Sequence, residues 1–312
     1  MPRTYSTLAM IALWTPSVAL AHGEEVLDVL FADVIAVGIS SVAAALFCIS
    51  LAHAQTDVLI EIDRGRTEGF FTKSPVFQRA ILAKPAKPTD TALLYFRGYP
   101  GIARIQSAAD KQRNLQPFMR MNQHIFAEEG IALVVMDCPT DQWGAPGPRP
   151  TGCFDSYRSS KEHADDVRSV IARLRDEYGY SKIYVMGHSM GTISSRWLAK
   201  NLGSEISGSI HSASMNRAAR DGFAGSVSGF PYDAIAAPVL HVHNENDACP
   251  YTLYSIVKGY AGENLVTVRG GVPEGDPCGG GHLHSFQGRE ELVVRSIISW
   301  IKTKKVDRLI GE

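Results

Sequence analysis

The chain has 312 residues, of which 45% are hydrophobic and 20% charged, and such values are typical of a globular protein with one large buried core. Its formal net charge is −1, and no block of like charge stands out. This balance argues against nucleic acid as a partner, since phosphate binding needs a basic face. The composition is compatible with a small-molecule or polymeric substrate.

The first 54 residues form an apolar N-terminal region. Arg3 precedes an apolar run from Leu8 to Trp14, and residues 19–21 (Ala-Leu-Ala) resemble a signal-peptidase site. A second uncharged run, Val34–Leu51, is close to the minimum length of a membrane-spanning helix. Residues 52–54 (Ala-His-Ala) then form a second cleavage pattern.

This second run allows three outcomes. It is cleaved, it stays as a membrane anchor, or it is a buried helix. Cleavage after Ala54 removes Cys48 and leaves Cys138, Cys153, Cys249 and Cys278, an even number that suits an oxidising compartment. We therefore expect a protein exported to the periplasm or secreted, or alternatively one anchored by residues 34–51, with membrane contact only through this N-terminal segment.

From Thr56 onward, short apolar runs alternate with amphipathic stretches, which predicts an α/β fold with a mostly parallel central sheet flanked by helices. An initial antiparallel pair is predicted at Val58–Ile62 and Phe77–Leu82. Predicted buried strands are Ala92–Phe96, Ala132–Met136, Lys182–Met186, Ile206–Ile210, Val239–Val242 and Leu265–Val268. Predicted helices are Ser160–Tyr178, Ser194–Leu202 and Glu290–Ile301, the last with Leu292, Val293, Ile297, Ile298 and Ile301 facing inward.

One motif indicates chemistry. Gly187-His188-Ser189-Met190-Gly191 follows the apolar strand that ends at Met186 and precedes a helical stretch. A serine at the apex of a strand–turn–helix is the arrangement of a nucleophile elbow, in which small neighbours relieve the crowding of a tight turn. The backbone N–H of Met190 would then face a developing oxyanion. The alternative is a Gly/Ser turn without chemistry.

A serine nucleophile needs a base, and the base needs a carboxylate that orients it. In the elbow architecture these partners follow the serine in the order acid, then histidine, each after a later strand. Asp247 lies just past the predicted strand Val239–Val242, with Glu245 as a second candidate. The loop after the strand Leu265–Val268 contains His282 and His284.

With these residues in place, the chain from Thr56 to the C-terminus resembles the α/β-hydrolase superfamily, of the serine esterase or lipase type exported by bacteria. The resemblance implies a catalytic domain over residues 55–312. It favours His284, just before the last helix, as the base and Asp247 as the acid. The segment Met215–Ala237 is too short for a large lid, so a small lid or none is expected.

The resemblance also places the second oxyanion donor in the loop after the third strand, and we expect it to be the N–H of Tyr99. The family often has His-Gly at the start of this loop, where this chain has Arg97-Gly98. This difference argues against the subfamilies with a His-Gly-Gly signature. Arg97 could equally be a structural residue that pairs with a carboxylate.

Cys249 lies two residues after Asp247 and Cys278 six residues before His284. If Asp247 and His284 touch, the two cysteines are close in space, and a disulfide between them is expected. It would hold the two loops together. A second bond, Cys138–Cys153, would close the Pro/Gly-rich loop between those residues. Free buried cysteines are the alternative for both pairs.

The expected reaction is hydrolysis of a carboxylic ester through an acyl-enzyme, with no cofactor. A peptidase, thioesterase or lactone hydrolase would use the same three residues. A metal-dependent hydrolase is a separate hypothesis, because His241 and His243 form one His-x-His pair and His282 and His284 another, near Asp247. A non-catalytic relative that binds a ligand in the same cleft is a third.

Overall fold

The structure is a computed structural model, and it describes residues 57–144, 152–217 and 230–312. Its core is a nine-stranded sheet with the order β1-β2-β4-β3-β5-β6-β7-β8-β9. Strand β2 is antiparallel to both of its neighbours, and the remaining pairs are parallel. The strands are Val58–Glu68 (β1), Ser74–Ala83 (β2), Thr91–Phe96 (β3), Ala132–Met136 (β4), Lys182–His188 (β5), Gly208–Ser212 (β6), Val239–Asn244 (β7), Leu265–Val268 (β8) and Leu309–Ile310 (β9).

Helices cover both faces of this sheet, as the sequence predicts. Alternate residues of each central strand belong to opposite cores, so that Leu93 and Tyr95 pack on one face and Leu94 and Phe96 on the other. The described helices are Lys111–Asn114 (α1), Pro117–Glu128 (α2), Asp155–Arg158 (α3), Lys161–Tyr178 (α4), Gly191–Leu202 (α5), Tyr254–Ala261 (α6) and Glu290–Thr303 (α7). Helices α2 and α7 contribute to the first core, and α4 and α5 to the second.

The predicted elements are present, with local differences. The predicted strand Ile206–Ile210 is displaced, because β6 begins at Gly208. Helices α1, α2, α3 and α6 and strand β9 were not predicted. Leu292 was predicted to face inward, but it is 46% exposed; the buried stripe of α7 uses Val293, Val294, Ile297, Ile298, Trp300 and Ile301.

The order of the strands determines where functional residues gather. Strand β5 lies between β3 and β6 near the middle of the sheet, and the carboxyl ends of β3 to β8 point to one edge because these strands are parallel. Ligand sites of open α/β sheets form at that edge. We call it the carboxyl edge.

The predicted N-terminal targeting region, residues 1–54, lies outside the described residues, as does most of the segment predicted to be too short for a lid. The described residues all belong to the unit Gln55–Glu312. None of the helices in the described ranges has both the length and the apolar character needed to cross a membrane.

Candidate active site

Ser189 lies at the turn that joins β5 to helix α5. Its φ is +53°, in the left-handed region that residues other than glycine rarely adopt. Two glycines allow this turn. A Cβ on Gly187 would lie 2.2 Å from the carbonyl oxygen of Gly191, and one on Gly191 would lie 2.1 Å from that of Phe96. Both positions therefore require glycine, and the motif has the backbone of a nucleophile elbow.

Asp247 follows β7, and its side chain is buried. One carboxylate oxygen, Oδ2, accepts hydrogen bonds from His284 Nδ1 at 3.0 Å and from Thr252 Oγ1 at 2.9 Å. The other, Oδ1, accepts one from the backbone N–H of Cys249 at 3.0 Å. Burial alone would raise the pKa of Asp247, but hydrogen bonds from His243 and His284 outweigh it and lower that pKa below its ordinary 3.8. The carboxylate is therefore ionised at neutral pH.

His284 belongs to a short 3₁₀ turn, Leu283–Ser285, that precedes helix α7. Its Nδ1 faces a carboxylate, which only accepts hydrogen bonds, so this nitrogen carries the proton. In the neutral imidazole, Nε2 is then left with a lone pair. That tautomer is the one in which a histidine can act as a base toward a serine.

The two alternative residues are not in this arrangement. Glu245 pairs with Arg269 at 3.1 Å on the surface. The Nδ1 atom of His282 is buried and has no hydrogen-bond partner among the described residues. The structure thus pairs Asp247 with His284. Glu245 and His282, the alternative acid and base, do not form such a pair.

His243 and Thr252 are members of the site that the sequence did not identify. His243 Nε2 lies 2.7 Å from the backbone oxygen of Thr252 and 3.2 Å from Asp247 Oδ2. Both partners accept only, so Nε2 carries the proton and donates to them. His243 was considered as a metal ligand, yet here it supports the acid. Strand alternation places residues 241 and 243 on one face of the sheet, but it does not indicate that His243 would donate a hydrogen bond to Asp247.

Ser189 and His284 lie at the same edge but form no hydrogen bond among the described residues. The ring of His188, the neighbour of Ser189, has its centroid 5.1 Å from that of His284. His188 is buried. Its burial, and to a smaller extent the nearby His284, lower its pKa well below 6.5. It is therefore a neutral packing residue, which also contacts Phe118 and Phe286.

The loop after β3 lies directly against Ser189. A Cβ on Gly98 would be 3.2 Å from Ser189 Cβ, so glycine permits this close approach. The N–H of Gly101 donates to the oxygen of Gly98 at 2.8 Å, which closes a turn with the exposed Tyr99 at its tip. Arg97 donates to the side-chain oxygen of Asn114 at 2.6 Å, not to a carboxylate as its alternative role assumed.

Arg158 joins this turn to the rest of the site. Its side chain is 1% exposed, and its guanidinium donates three hydrogen bonds. The acceptors are the oxygen of Gly101 at 2.6 Å, the oxygen of Cys153 at 2.9 Å and the hydroxyl of Ser194 at 2.8 Å. These atoms belong to the loop after β3, the loop after β4 and helix α5, so one buried cation holds three neighbouring segments together.

The structure pairs Cys249 with Cys278 and Cys138 with Cys153, the two pairs that the sequence predicts. The first disulfide links the loop of Asp247 to the loop of His284. The second closes the chain between β4 and α3. Disulfides of this kind persist in an oxidising environment.

A second serine–histidine pair is buried between helix α5 and strand β6. Ser195 Oγ in helix α5 is 2.8 Å from His211 Nδ1 in β6. Both residues are at most 1% exposed, and His211 Nε2 faces the hydroxyl of Ser209 at 3.3 Å. The pair has no carboxylate partner among the described residues and no access to solvent.

The metal hypothesis requires at least three clustered ligands. Within the described ranges, no group of three His, Cys, Asp or Glu side chains has an arrangement that could hold a metal ion. His241 packs against the rings of His211 and Tyr260, while His243 contacts Asp247.

Residues 91–244 match a family model described as the α/β hydrolase fold. This match, the sheet and the turn at Ser189 show that the chain has the α/β hydrolase fold. No curated protein matches the sequence.

Several solved structures are similar in fold. An esterase from Pyrococcus furiosus is 15% identical with a TM-score of 0.51, over 80% of this chain and 93% of the esterase. A lidless serine hydrolase from Xanthomonas campestris is 17% identical with a TM-score of 0.47, over 77% and 94% of the two chains. An S-formylglutathione hydrolase from Agrobacterium tumefaciens is 12% identical with a TM-score of 0.49, over 78% and 94%. At 15% identity, the likeness to the Pyrococcus furiosus esterase shows the fold alone.

The close approach of Gly191 to Phe96 makes a direct prediction about stability. Gly191→Ala should lower the free energy of unfolding by about 1–3 kcal/mol, because its Cβ would overlap the Phe96 oxygen. The matched control is Gly259→Ala in helix α6, where a Cβ meets nothing within 4 Å. This substitution should raise the free energy of unfolding by about 0.5–1 kcal/mol. Urea unfolding followed by circular dichroism measures both, and equal effects would contradict the packing described.

The lowered pKa of Asp247 predicts how one part of the stability changes with pH. Because the folded pKa lies below the unfolded value, ionised Asp247 stabilises the fold above about pH 4, and this contribution disappears as pH falls through the folded pKa. Asp247→Asn should therefore cost about 3 kcal/mol at about pH 6 and clearly less at about pH 2.5. Urea unfolding of both proteins measures the gap, and a gap that grows on acidification from about pH 4 would show that the sign is wrong.

Proposed function

We propose that the protein is a serine hydrolase that cleaves a carboxylic ester through an acyl-enzyme, with Ser189 as nucleophile, His284 as base and Asp247 as the acid that orients it. The observation that carries this proposal is the 3.0 Å hydrogen bond between His284 Nδ1 and Asp247. It leaves Nε2 free at the edge where the elbow presents Ser189. Catalytic hydrogen bonds often tighten only once a substrate is bound, which is when the Ser189–His284 contact is needed.

In the first step Ser189 Oγ attacks the carbonyl carbon of the ester while its proton passes to His284 Nε2. The imidazolium is stabilised by ionised Asp247. The tetrahedral intermediate carries its negative charge on the former carbonyl oxygen. The N–H of Met190, at the start of helix α5, and the N–H of Tyr99 are the proposed donors to this oxyanion.

The ester C–O bond then breaks, and the leaving alcohol takes the proton from His284. The acyl group remains on Ser189. A water molecule attacks this acyl-enzyme as His284 removes its proton, and collapse of the second intermediate releases the acid and returns the proton to Ser189. The cycle is balanced by one water and needs no cofactor.

An ester is proposed because α/β hydrolases most often act on esters, which is an argument by analogy. A peptidase, thioesterase or lactone hydrolase would use the same residues. A panel of p-nitrophenyl esters, thioesters and aminoacyl anilides ranks these reactions. The two disulfides favour an exported protein, periplasmic or secreted, with an anchor at residues 34–51 as the alternative.

The nucleophile can be tested without knowledge of the substrate. Treatment with a fluorophosphonate should add one phosphonyl group, mapped to Ser189 by peptide mass spectrometry, and abolish ester hydrolysis. Ser189→Ala should take up no label, whereas Ser195→Ala should still be labelled at Ser189. A label that persists in Ser189→Ala would refute the assignment.

The base can be distinguished from its neighbour in the same loop. His284→Ala should lower kcat for a p-nitrophenyl ester by about 10⁴-fold or more, since base and nucleophile act as a unit. His282→Ala is the matched control and should retain most of the activity. If His282→Ala is the more damaging change, His284 is not the base.

A further inference from the structure

The exposed aromatic side chains of the described chain are concentrated at the carboxyl edge. Five Phe or Tyr residues are exposed there. Tyr99 follows β3, Phe154 follows the loop after β4, and Tyr251 follows β7, with exposed fractions of 66%, 58% and 40%. The other two, Phe70 at 90% and Phe71 at 95%, form the tip of the β1–β2 hairpin.

The hairpin tip extends past this edge because of the direction of β2. Ala80 in β2 pairs with Met136, the last residue of β4, and β2 is antiparallel to β4. The residues of β2 before Ala80 therefore continue beyond the carboxyl end of β4. The final pair of the hairpin, Glu68 with Ser74, lies beyond that end. Phe70 and Phe71 therefore project from the same edge of the sheet as Ser189, the carboxyl edge.

The hairpin is held firmly below its tip. Arg66 donates to Asp166 at 2.9 Å and to Asp141 at 2.8 Å, and Arg64 donates to Asp166 at 2.6 Å. The two phenyl rings meet edge to face with centroids 5.0 Å apart. A tip of two water-exposed rings on an anchored hairpin is an unfavourable surface in water.

The charge near the tip indicates what it could contact. Both arginines of β1 are paired with carboxylates, and the remaining charges near the tip, Glu68 and Lys73, have opposite sign. An anionic membrane would select a basic surface, which this hairpin does not offer. A neutral apolar phase fits better. The tip joins β1 and β2, which lie four and three strand positions from β5, or roughly 14–19 Å at ~4.8 Å per strand. An extended surface can cover such a span, and one small molecule cannot.

We propose that Phe70 and Phe71 dock the enzyme on a neutral, water-insoluble ester phase, with the carboxyl edge facing that phase. This proposal rests on the proposed esterase function. The two rings enter the apolar phase, and the site around Ser189 then meets ester groups at its surface. Soluble esters reach the same site without this contact.

The test compares soluble and dispersed substrates with the full chain. The variant Phe70→Ser/Phe71→Ser should hydrolyse emulsified trioctanoin at least about tenfold more slowly than the unmodified protein. Its kcat/KM for soluble p-nitrophenyl acetate should be unchanged. The control is Leu309→Ser, an exposed leucine on β9 at the opposite lateral edge of the sheet, which should behave as the unmodified protein on both substrates.

Flotation of the same proteins with trioctanoin droplets separates docking from catalysis. The proposal expects the double variant to float less than Leu309→Ser, even when both carry Ser189→Ala. Equal flotation, or an equal rate on the emulsion, overturns the docking proposal, and a protein partner for the tip is then the better explanation. Absence of fluorophosphonate labelling at Ser189 would instead count against the proposed function, whatever the droplets show.

Discussion

The buried carboxylate of Asp247 is the interaction on which the rest of the site depends. An ionised carboxylate without partners in such a place would be strongly unfavourable. Its donors come from β7 at His243, from the loop after β7 at Cys249 and Thr252, and from the loop after β8 at His284. The charge of one residue therefore determines where two loops meet. The Cys249–Cys278 disulfide joins the same two loops, so covalent and electrostatic constraints act together.

A second constraint is the lack of space around the turn at Ser189. Gly191 packs on the backbone at the end of β3, and Gly101 leaves no room for a Cβ beside the Arg158 guanidinium, which would be 2.3 Å away. The loop after β3 is thus packed between the turn at Ser189 and a buried arginine. Oxyanion donors work by being held in place before charge develops, and this packing would supply that rigidity to the N–H groups of Met190 and Tyr99.

Sequence patterns predicted the parts of this molecule that depend on local chemistry. Strands covered on both faces are mostly apolar, so β4 and β8 were predicted residue for residue. Strand β6 was misplaced because Ser209, His211 and Ser212 are polar and buried, and some of their partners, such as Ser195, are distant in sequence. The order of Ser189, Asp247 and His284 was predicted for the same local reason, as each follows a strand. Thr252 supports Asp247 from five residues away in the same loop, through a loop conformation that the residue pattern does not show.

The two serine–histidine pairs show why a hydrogen bond alone does not define a nucleophile. The Ser195–His211 bond is short, yet burial, followed by the nearby His241, lowers the pKa of His211 well below 6.5, and nothing there would stabilise an imidazolium. Solvent and substrate cannot reach it. His284 lacks a bond to Ser189 but has ionised Asp247 on its other nitrogen. A base must become charged during the reaction, so the stabilising carboxylate, together with access, is the reason why Ser189 and not Ser195 is the proposed nucleophile.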